Sequence, residues 1–490
     1  MSPKLFRPAA LLTALALVLT ACSAGGSGSG SSGTEEPTGG QSLEAVPALA
    51  SEPDPGPEPE PGPRLTQEDV DRALEQVMDR YPAAGVTVAT VERGQLSQSG
   101  AWGWAVKGER EMTPDTKIRI ASISKVVVAM CTMAMAEDGL LDLDAPISEY
   151  WGSGAVNPYS KNQPTVRDFM THTSSMKDLG IIRGLSTLRG LLQSRFSWRN
   201  MEPGSGGYWY YSNSGISVLG TTLELAANRI LEDYLQERLL EPLGIRASFF
   251  AVRLSEDELA NLYQTSSIGR SISQQRFGSY TEIGKSAALF PGGLYVSAVD
   301  MAKLVSVLTN DGVYKEPAYK YYQISSADES KDVEYVIAEP YDISLADENK
   351  DVEYVIVGSD EAVPAGRKEG VEYIIAEPIE GKFKETHLLS AESVADLETP
   401  RFKVDLDGYA PFEQCLILRR QEDVLGQEAL YYHTGSAYGV FSLMTYNPVT
   451  QNGVVVITTG TPRNMNEHGM YALCYDLMNI LYEKMEAEPE

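Results

Sequence analysis

Histidine and cysteine are scarce in this 490-residue chain, with four of each. The histidines, His172, His387, His433 and His468, are too widely spaced to suggest a metal cluster. Cys22, Cys131, Cys415 and Cys474 include no C-x-x-C pair, so neither a disulfide framework nor a thiolate metal site is suggested, and no cofactor is expected. Basic residues are outnumbered 40 to 68, for a formal charge of -28. Binding to nucleic acid needs a basic footprint for the phosphate backbone, so nucleic acid is excluded as a partner. Beyond the N-terminal segment there is no apolar run of about 18 residues, and no transmembrane helix is predicted there.

The chain begins with a different kind of signal. Lys4 and Arg7 precede an apolar run from Ala9 to Ala21, too short to span a bilayer, and the run ends in Leu19-Thr20-Ala21-Cys22. These are the parts of a secretory leader. The Leu-x-Ala-Cys ending resembles a bacterial lipobox, which implies cleavage after residue 21 and a lipid on Cys22. Residues 22–64 are rich in Gly, Ser, Pro and Glu and cannot bury a core, so they read as a solvated tether. The expected location is the bacterial cell envelope, with the protein exported and held at the membrane surface by its lipid.

The charge is uneven. Residues 23–63 of the tether and the stretch from Lys315 to Lys384 carry sixteen of the twenty-eight net negative charges. Within that second stretch, Glu334-Tyr335-Val336-Ile337 recurs as Glu353-Tyr354-Val355-Ile356 and as Glu372-Tyr373-Ile374-Ile375, with a period of 19 residues. A fixed period marks a repeat. Residues 315–382 are read as an acidic insertion forming a three-stranded extension or a loose arm. It is either a tolerated surface duplication or an arm that binds a partner.

The remainder, residues 65–314 and 383–490, reads as one domain. A helix is predicted from Thr66 to Arg80, where Val70, Leu74, Val77 and Met78 share one face. Val86–Val91 and Leu96–Trp102 flank Glu92-Arg93-Gly94 as a hairpin. Helical text dominates from Val166 to about Gly244. Strands are predicted at Cys415–Leu418, Leu430–His433, Val440–Tyr446 and Val454–Thr459, before a closing helix from Met470 to Met485. Strands at both ends with helices between predict an α/β (α+β) domain: an antiparallel sheet built from both termini, with a mostly helical insert.

Chemistry enters at Arg119-Ile120-Ala121-Ser122-Ile123-Ser124-Lys125, at the head of a long apolar run. A serine hydroxyl is a weak nucleophile that needs a base within hydrogen-bond reach. Residues i and i+3 of a helix face the same side, so Lys125 can meet Ser122 if a helix starts near Ser122. The run is apolar all round and predicts a central buried helix ending at Gly139. A lysine there is partly desolvated, which lowers its pKa toward that of a usable base. Alone, the pair reads equally well as a helix cap and a stray lysine. Ser174-Ser175-Met176-Lys177 has the same spacing, but it lies in polar text and reads as a surface turn. Further on, Tyr211-Ser212-Asn213 is the only Tyr-x-Asn in the chain and precedes a helical segment. His433-Thr434-Gly435-Ser436 lies between two strand runs, where an edge strand could lie beside a substrate.

In this order, Ser122-x-x-Lys125, Tyr211-x-Asn213 and His433-Thr434-Gly435 resemble the serine β-lactamases and penicillin-binding proteins. The resemblance is to the branch with tyrosine in the second motif, which includes cephalosporinase-type β-lactamases, D-Ala-D-Ala carboxypeptidases and related esterases. It implies a β-lactamase-like fold. It also implies that Ser122 is acylated, that Lys125 and Tyr211 share proton transfer, that Asn213 holds a substrate amide, and that Thr434, Gly435 and Ser436 lie along the substrate. His433 stands where lysine is usual, and would help hold the proton of Tyr211 or a substrate carboxylate. Backbone N–H groups of Ser122 and Ser436 would form the oxyanion hole. The implied substrate is a D-amino-acyl peptide of the cell wall, a β-lactam or a small ester.

Two departures qualify this. A neutral imidazole binds a carboxylate poorly, which weakens the case for β-lactam hydrolysis. Ser175 stands where relatives often carry glycine. His172, in Thr171-His172-Thr173, reads as structural, since a buried polar group normally answers a backbone partner. The competing function is a non-catalytic penicillin- or peptidoglycan-binding or sensing protein that uses the repeats as a docking arm. If Cys22 carries the lipid, Cys22→Ser will move the protein from the detergent phase to the aqueous phase on partitioning; an unchanged distribution removes the lipid anchor.

Overall fold

A computed structural model of the chain describes residues 65–180, 182–263, 271–272, 280–324, 337–340, 353–358 and 371–486. The leader, Cys22 and the tether lie outside the described residues.

The first helix, α1 (Gln67–Met78), is capped by Thr66. The Thr66 side chain accepts from the Asp69 N–H, and Asp69 answers the Thr66 N–H. Its Val70, Ala73, Leu74 and Val77 are buried. Next comes the hairpin of β1 (Gly85–Glu92) and β2 (Gln95–Val106). Arg93 and Gly94 both have positive φ, the conformation that a two-residue hairpin turn requires. The other strands of the main sheet are β3 (Arg110–Glu111), β4 (Phe402–Val404), β5 (Phe412–Gln414), β6 (Arg419–Val424), β7 (Gln427–Ala437), β8 (Val440–Asn447) and β9 (Asn452–Thr459). The nine strands run in the order β4-β5-β6-β7-β8-β9-β1-β2-β3. The adjoining pairs are antiparallel, and β1 is inserted between β9 and β2. The sheet is thus closed from both ends of the chain.

β1 and β9 are buried along their whole length, so their alternation decides which core each residue enters. Val86, Val88, Val454 and Val456 face α1 and the closing helix α5 (Ala472–Met485). Ala89, Val91, Val455 and Ile457 join the opposite core, with α2 (Ser124–Glu137), α3 (Asn213–Ala227) and α4 (Ala298–Thr309). This is the period-two logic of a strand covered on both faces.

One predicted strand is absent. Cys415–Leu418 is the tight link between β5 and β6. Ile417 takes a positive φ there and donates its N–H to the Met170 carbonyl at 2.8 Å. Four apolar residues sufficed for a buried connection, because its backbone groups are answered across the helical layer. The closing helix begins at Ala472, slightly later than predicted.

The insertion is rooted at Val313 and His387, which pair with each other, rather than at 315 and 382. Among the described residues its sheet has four strands in the order Glu353–Gly358, Val371–His387, Val313–Ile324, Ile337–Pro340. The second and third copies of the repeat lie in adjacent parallel strands. Glu334, Tyr335 and Val336 of the first copy lie outside the described residues.

A short strand pair, Ile118–Arg119 with Tyr295–Val296, leads into the Ser122 segment. Just before it, the Lys117 Nζ meets Asp300 Oδ2 of α4 at 2.6 Å, with both side chains less than a tenth exposed. Removing one partner of such a buried pair leaves the other charge uncompensated. Asp300→Ala should therefore lower unfolding stability by about 3–5 kcal/mol in a denaturant titration, and the apolar pair Lys117→Met with Asp300→Leu should regain most of it.

Candidate active site

The backbone turns sharply just before α2. Ala121 has φ +54, and a 3-10 turn, Ala121–Ile123, precedes the α-helix, which starts at Ser124 rather than near Ser122. Side chains staple this turn: Ser124 Oγ donates to the Ala121 carbonyl at 2.7 Å and accepts the Leu294 N–H at 3.1 Å. Ser442 Oγ donates to the Ile120 carbonyl at 2.8 Å. A non-glycine residue in the left-handed region costs energy, and these bonds over-determine it. The helix behind is buried on every side from Ser124 to Met135 and stops at the left-handed Gly139, as its sequence predicts.

Lys125 is fully buried, not partly desolvated as expected. Its Nζ lies 2.9 Å from Ser122 Oγ, 3.0 Å from Asn213 Oδ1 and 2.5 Å from the Pro291 carbonyl. Three acceptors match the three hydrogens of an ammonium. Burial nevertheless pulls its pKa below the usual lysine value, and the Arg419 charge acts in the same direction against Tyr211 and Asp178. Burial opposes ionisation of the Tyr211 phenol, but Lys125, a hydrogen bond with Ser122 and the Arg419 charge outweigh it, so its pKa falls below the tyrosine norm. Lys125 and Tyr211 therefore titrate as one coupled pair beside the Ser122 hydroxyl.

Tyr211 and Asn213 enter at the start of α3, where the Ser212 hydroxyl caps the Gly215 N–H at 2.9 Å. Asp178 clasps the next residue: its Oδ1 accepts from Ser214 N at 3.1 Å and Ser214 Oγ at 2.9 Å. Asp178 follows the second Ser-x-x-Lys, which is not the surface turn expected of it. Ser174, Ser175 and Met176 are buried, Lys177 Nζ donates to the Phe196 carbonyl at 2.8 Å, and Ser175 Oγ accepts from Asn157 Nδ2 at 2.7 Å. Ser175 has φ +62, which explains why glycine is favoured there.

His433 also differs from expectation. It lies inside β7 rather than between strands: it pairs with Met444 of β8, while the pairing with β6 stops one residue earlier, at Arg419–Tyr432, so from His433 to Ala437 the β6 side of the strand is an edge among the described residues. Its Nδ1 sits 2.7 Å from the Thr434 carbonyl, so Nδ1 carries the proton and Nε2 is a lone-pair acceptor with no protein partner among the described residues. Burial, with Arg419 and Lys125 nearby, holds the imidazole well below its ordinary pKa and hence neutral. It cannot supply the charge of the usual lysine. Gly435 is where β7 meets the Ser122 turn: a Cβ there would lie 2.2 Å from Ser442 Oγ and 2.4 Å from the Ile120 carbonyl. This close approach makes the Ser122 and Ser436 backbones neighbours. Thr434 is half-buried, and Ser436 is exposed at the end of the strand.

Sequence reasoning missed Arg419, the first residue of β6, paired with Tyr432 next to His433. Its guanidinium carbon lies 4.6 Å from the Phe412 ring centre, 5.7 Å from Tyr211 and 5.9 Å from Trp209. Among the described residues no carboxylate forms an ion pair with it. In the sequence, Arg419-Arg420 looks like ordinary surface charge. A separate open cleft of about 720 Å³ is lined by residues including Arg229, Asp233, Glu237, Arg246 and Arg253. Those arginines pair with Glu237, Glu258 and Asp233. Among the described residues no set of three His, Cys, Asp or Glu side chains converges as metal ligands would.

A family model described as Beta-lactamase matches residues 70–475. The chain belongs to the beta-lactamase family. Among curated relatives, a D-aminopeptidase of Brucella anthropi is 29% identical over 185 residues, 35% of this chain and 34% of that one. The esterase EstB of Burkholderia gladioli is 27% identical over 200 residues, 36% of this chain and 50% of that one. The matched stretches thus span a third to a half of those relatives' lengths. The octameric penicillin-binding protein homologue from Pyrococcus abyssi superposes with a TM-score of 0.55 at 20% identity, covering 87% of this chain and 79% of that one. A D-alanine carboxypeptidase from Burkholderia cenocepacia gives 0.52 at 16% identity, covering 84% and 97%. At these identities the likeness establishes the β-lactamase-like fold.

In this member of the beta-lactamase family, Gly435 is the tightest test of the site. Gly435→Ala pushes the Ser122 turn off β7, and should destabilise the fold by about 1–3 kcal/mol in thermal unfolding. It should also slow covalent labelling of the protein by a fluorophosphonate more than the lost stability would account for.

Proposed function

We propose that this protein is a serine hydrolase that acts through an acyl-enzyme on Ser122, with a D-amino-acyl peptide bearing a free carboxylate as the preferred substrate class. A β-lactam or a small ester is the neighbouring alternative. The carrying observation is the 2.9 Å contact between Lys125 Nζ and Ser122 Oγ, in a buried cluster with Asn213 and Tyr211.

Ser122 Oγ attacks the substrate carbonyl and its proton passes to the Lys125–Tyr211 pair. The carbonyl oxygen takes up negative charge against the backbone N–H groups of Ser122 and Ser436, where each preorganised donor contributes about 3 kcal/mol. The pair returns the proton to the leaving nitrogen as the C–N bond breaks. Water then attacks the ester, gives its proton to the same pair, and releases the acid and the free serine.

Arg419 supports the preference for an anionic substrate. A neutral His433 leaves β7 without a cation, and Arg419 on the adjoining strand offers a planar donor fork suited to a carboxylate. An N-terminal D-amino acid would bring an ammonium toward that charge, which disfavours an aminopeptidase. The sequence ending in Cys22 further supports attachment to a membrane surface at the cell envelope, where wall peptides are available.

A fluorophosphonate and a labelled penicillin should each mark the wild type covalently and leave Ser122→Ala unmarked; equal labelling of the two removes the nucleophile. Arg419→Leu should raise KM for peptides ending in a free carboxylate by roughly 10- to 100-fold, the worth of a charge-assisted hydrogen bond. KM for neutral esters should change little.

A further inference from the structure

His172 is the histidine that the proton-transfer scheme leaves unused. It is 4% exposed and sits in a left-handed backbone conformation, φ +60. Three contacts tie it to the segment that carries Tyr211. Its carbonyl accepts the Tyr210 N–H at 3.0 Å. Its ring Nδ1 accepts the Ser212 N–H at 3.4 Å. Its ring lies 4.6 Å from the Tyr211 ring, tilted by 44°, and stands edge-on to Trp209 at 6.2 Å. One residue thus grips the backbone on both sides of Tyr211 and the phenol ring between.

We propose that His172 is a positioning residue for Tyr211: its carbonyl and ring Nδ1 clamp the flanking backbone, and its ring holds the phenol against Lys125 and Ser122. The inference deepens the hydrolase reading above and rests on it for its catalytic consequence. The clamp works only with an unprotonated Nδ1, since an imidazolium would turn that acceptor into a donor facing another donor. Burial, together with Lys125 and Arg419, keeps the ring neutral. A side chain that merely filled the space would need neither the acceptor nor the strained backbone.

The groups that face Tyr211 are Lys125 from α2, Ser122 from the turn, Arg419 from β6, His433 from β7 and Tyr471 ahead of α5. Lys125 and Arg419 favour the phenolate. A phenol released from the clamp drifts from Lys125, loses part of that support and ionises at higher pH. The rising limb of the pH–rate profile then moves to higher pH.

Three substitutions separate the contributions. His172→Asn keeps an acceptor near the position of Nδ1 and tolerates the left-handed backbone. His172→Gly relieves the backbone but has no acceptor. His172→Leu has bulk without an acceptor. Labelling of the full chain by a fluorophosphonate, measured from pH 5 to 9, should slow by roughly tenfold or more in the Gly and Leu variants, a part of what a positioned acid–base group contributes. Their midpoints should rise by about one pH unit, and the Asn variant should recover the wild-type midpoint. In parallel, NMR titration of ¹³Cζ-labelled tyrosine, with the Tyr211 signal assigned by Tyr211→Phe, should show the same order. Wild-type midpoints in all three variants, or an Asn variant no better than Gly and Leu at matched melting temperature, would overturn the clamp. Failure of the wild type to label at all overturns the hydrolase reading, and the tyrosine titration then still decides the clamp.

Discussion

Lys125 carries an amino group to the first turn of a helix that is buried on every side, and the active face is arranged around that constraint. An ammonium out of water needs a partner for each hydrogen, and here Ser122, Asn213 and Pro291 provide them from three separate segments. Those contacts fix the turn before α2, the start of α3 and the segment ahead of Tyr295 relative to one another. The same burial that demands partners also loosens the proton, so one structural requirement yields a base beside a hydroxyl.

The surroundings follow from this cluster. Tyr211 is drawn toward its ionised form by Lys125 and Arg419, and the two imidazoles that flank it are neutral. The cation that a lysine in β7 would supply is found one strand away, at Arg419, held by aromatic faces rather than by a carboxylate. With the charge on β6 rather than β7, the groups beside Ser122 Oγ are Lys125 and Tyr211. The acidic insertion stands apart in this respect: it roots at Val313 and His387 and builds its own sheet beyond α4.

Much of this was legible in the residues. The α1 stripe, the Arg93-Gly94 turn, the all-apolar helix after Ser122 and a sheet shared by both termini follow from period, turn chemistry and composition. The Cys415–Leu418 link was misread because four apolar residues look the same in a strand and in a buried turn whose N–H groups are answered from Leu397, Met170 and within the turn itself. The 174–177 turn was misread because its polar groups are answered by other segments: Ser175 Oγ accepts from Asn157 Nδ2 at 2.7 Å, and the Ser175 carbonyl accepts the Arg199 N–H at 2.9 Å.

What the sequence determined by itself was the set of candidate site residues, since Ser122, Lys125, Tyr211, Asn213 and His433 stand in motifs whose spacing or order is local. The tertiary structure decided which charges act on them. Arg419 belongs to the site because antiparallel register puts it across from Tyr432. His172 belongs because a left-handed turn aims its ring at Tyr211. The Ser122 and Ser436 backbones become neighbours because only glycine at 435 lets the turn close on β7. Register, left-handed turns and close approaches are long-range packing outcomes, and no window of neighbouring residues contains them.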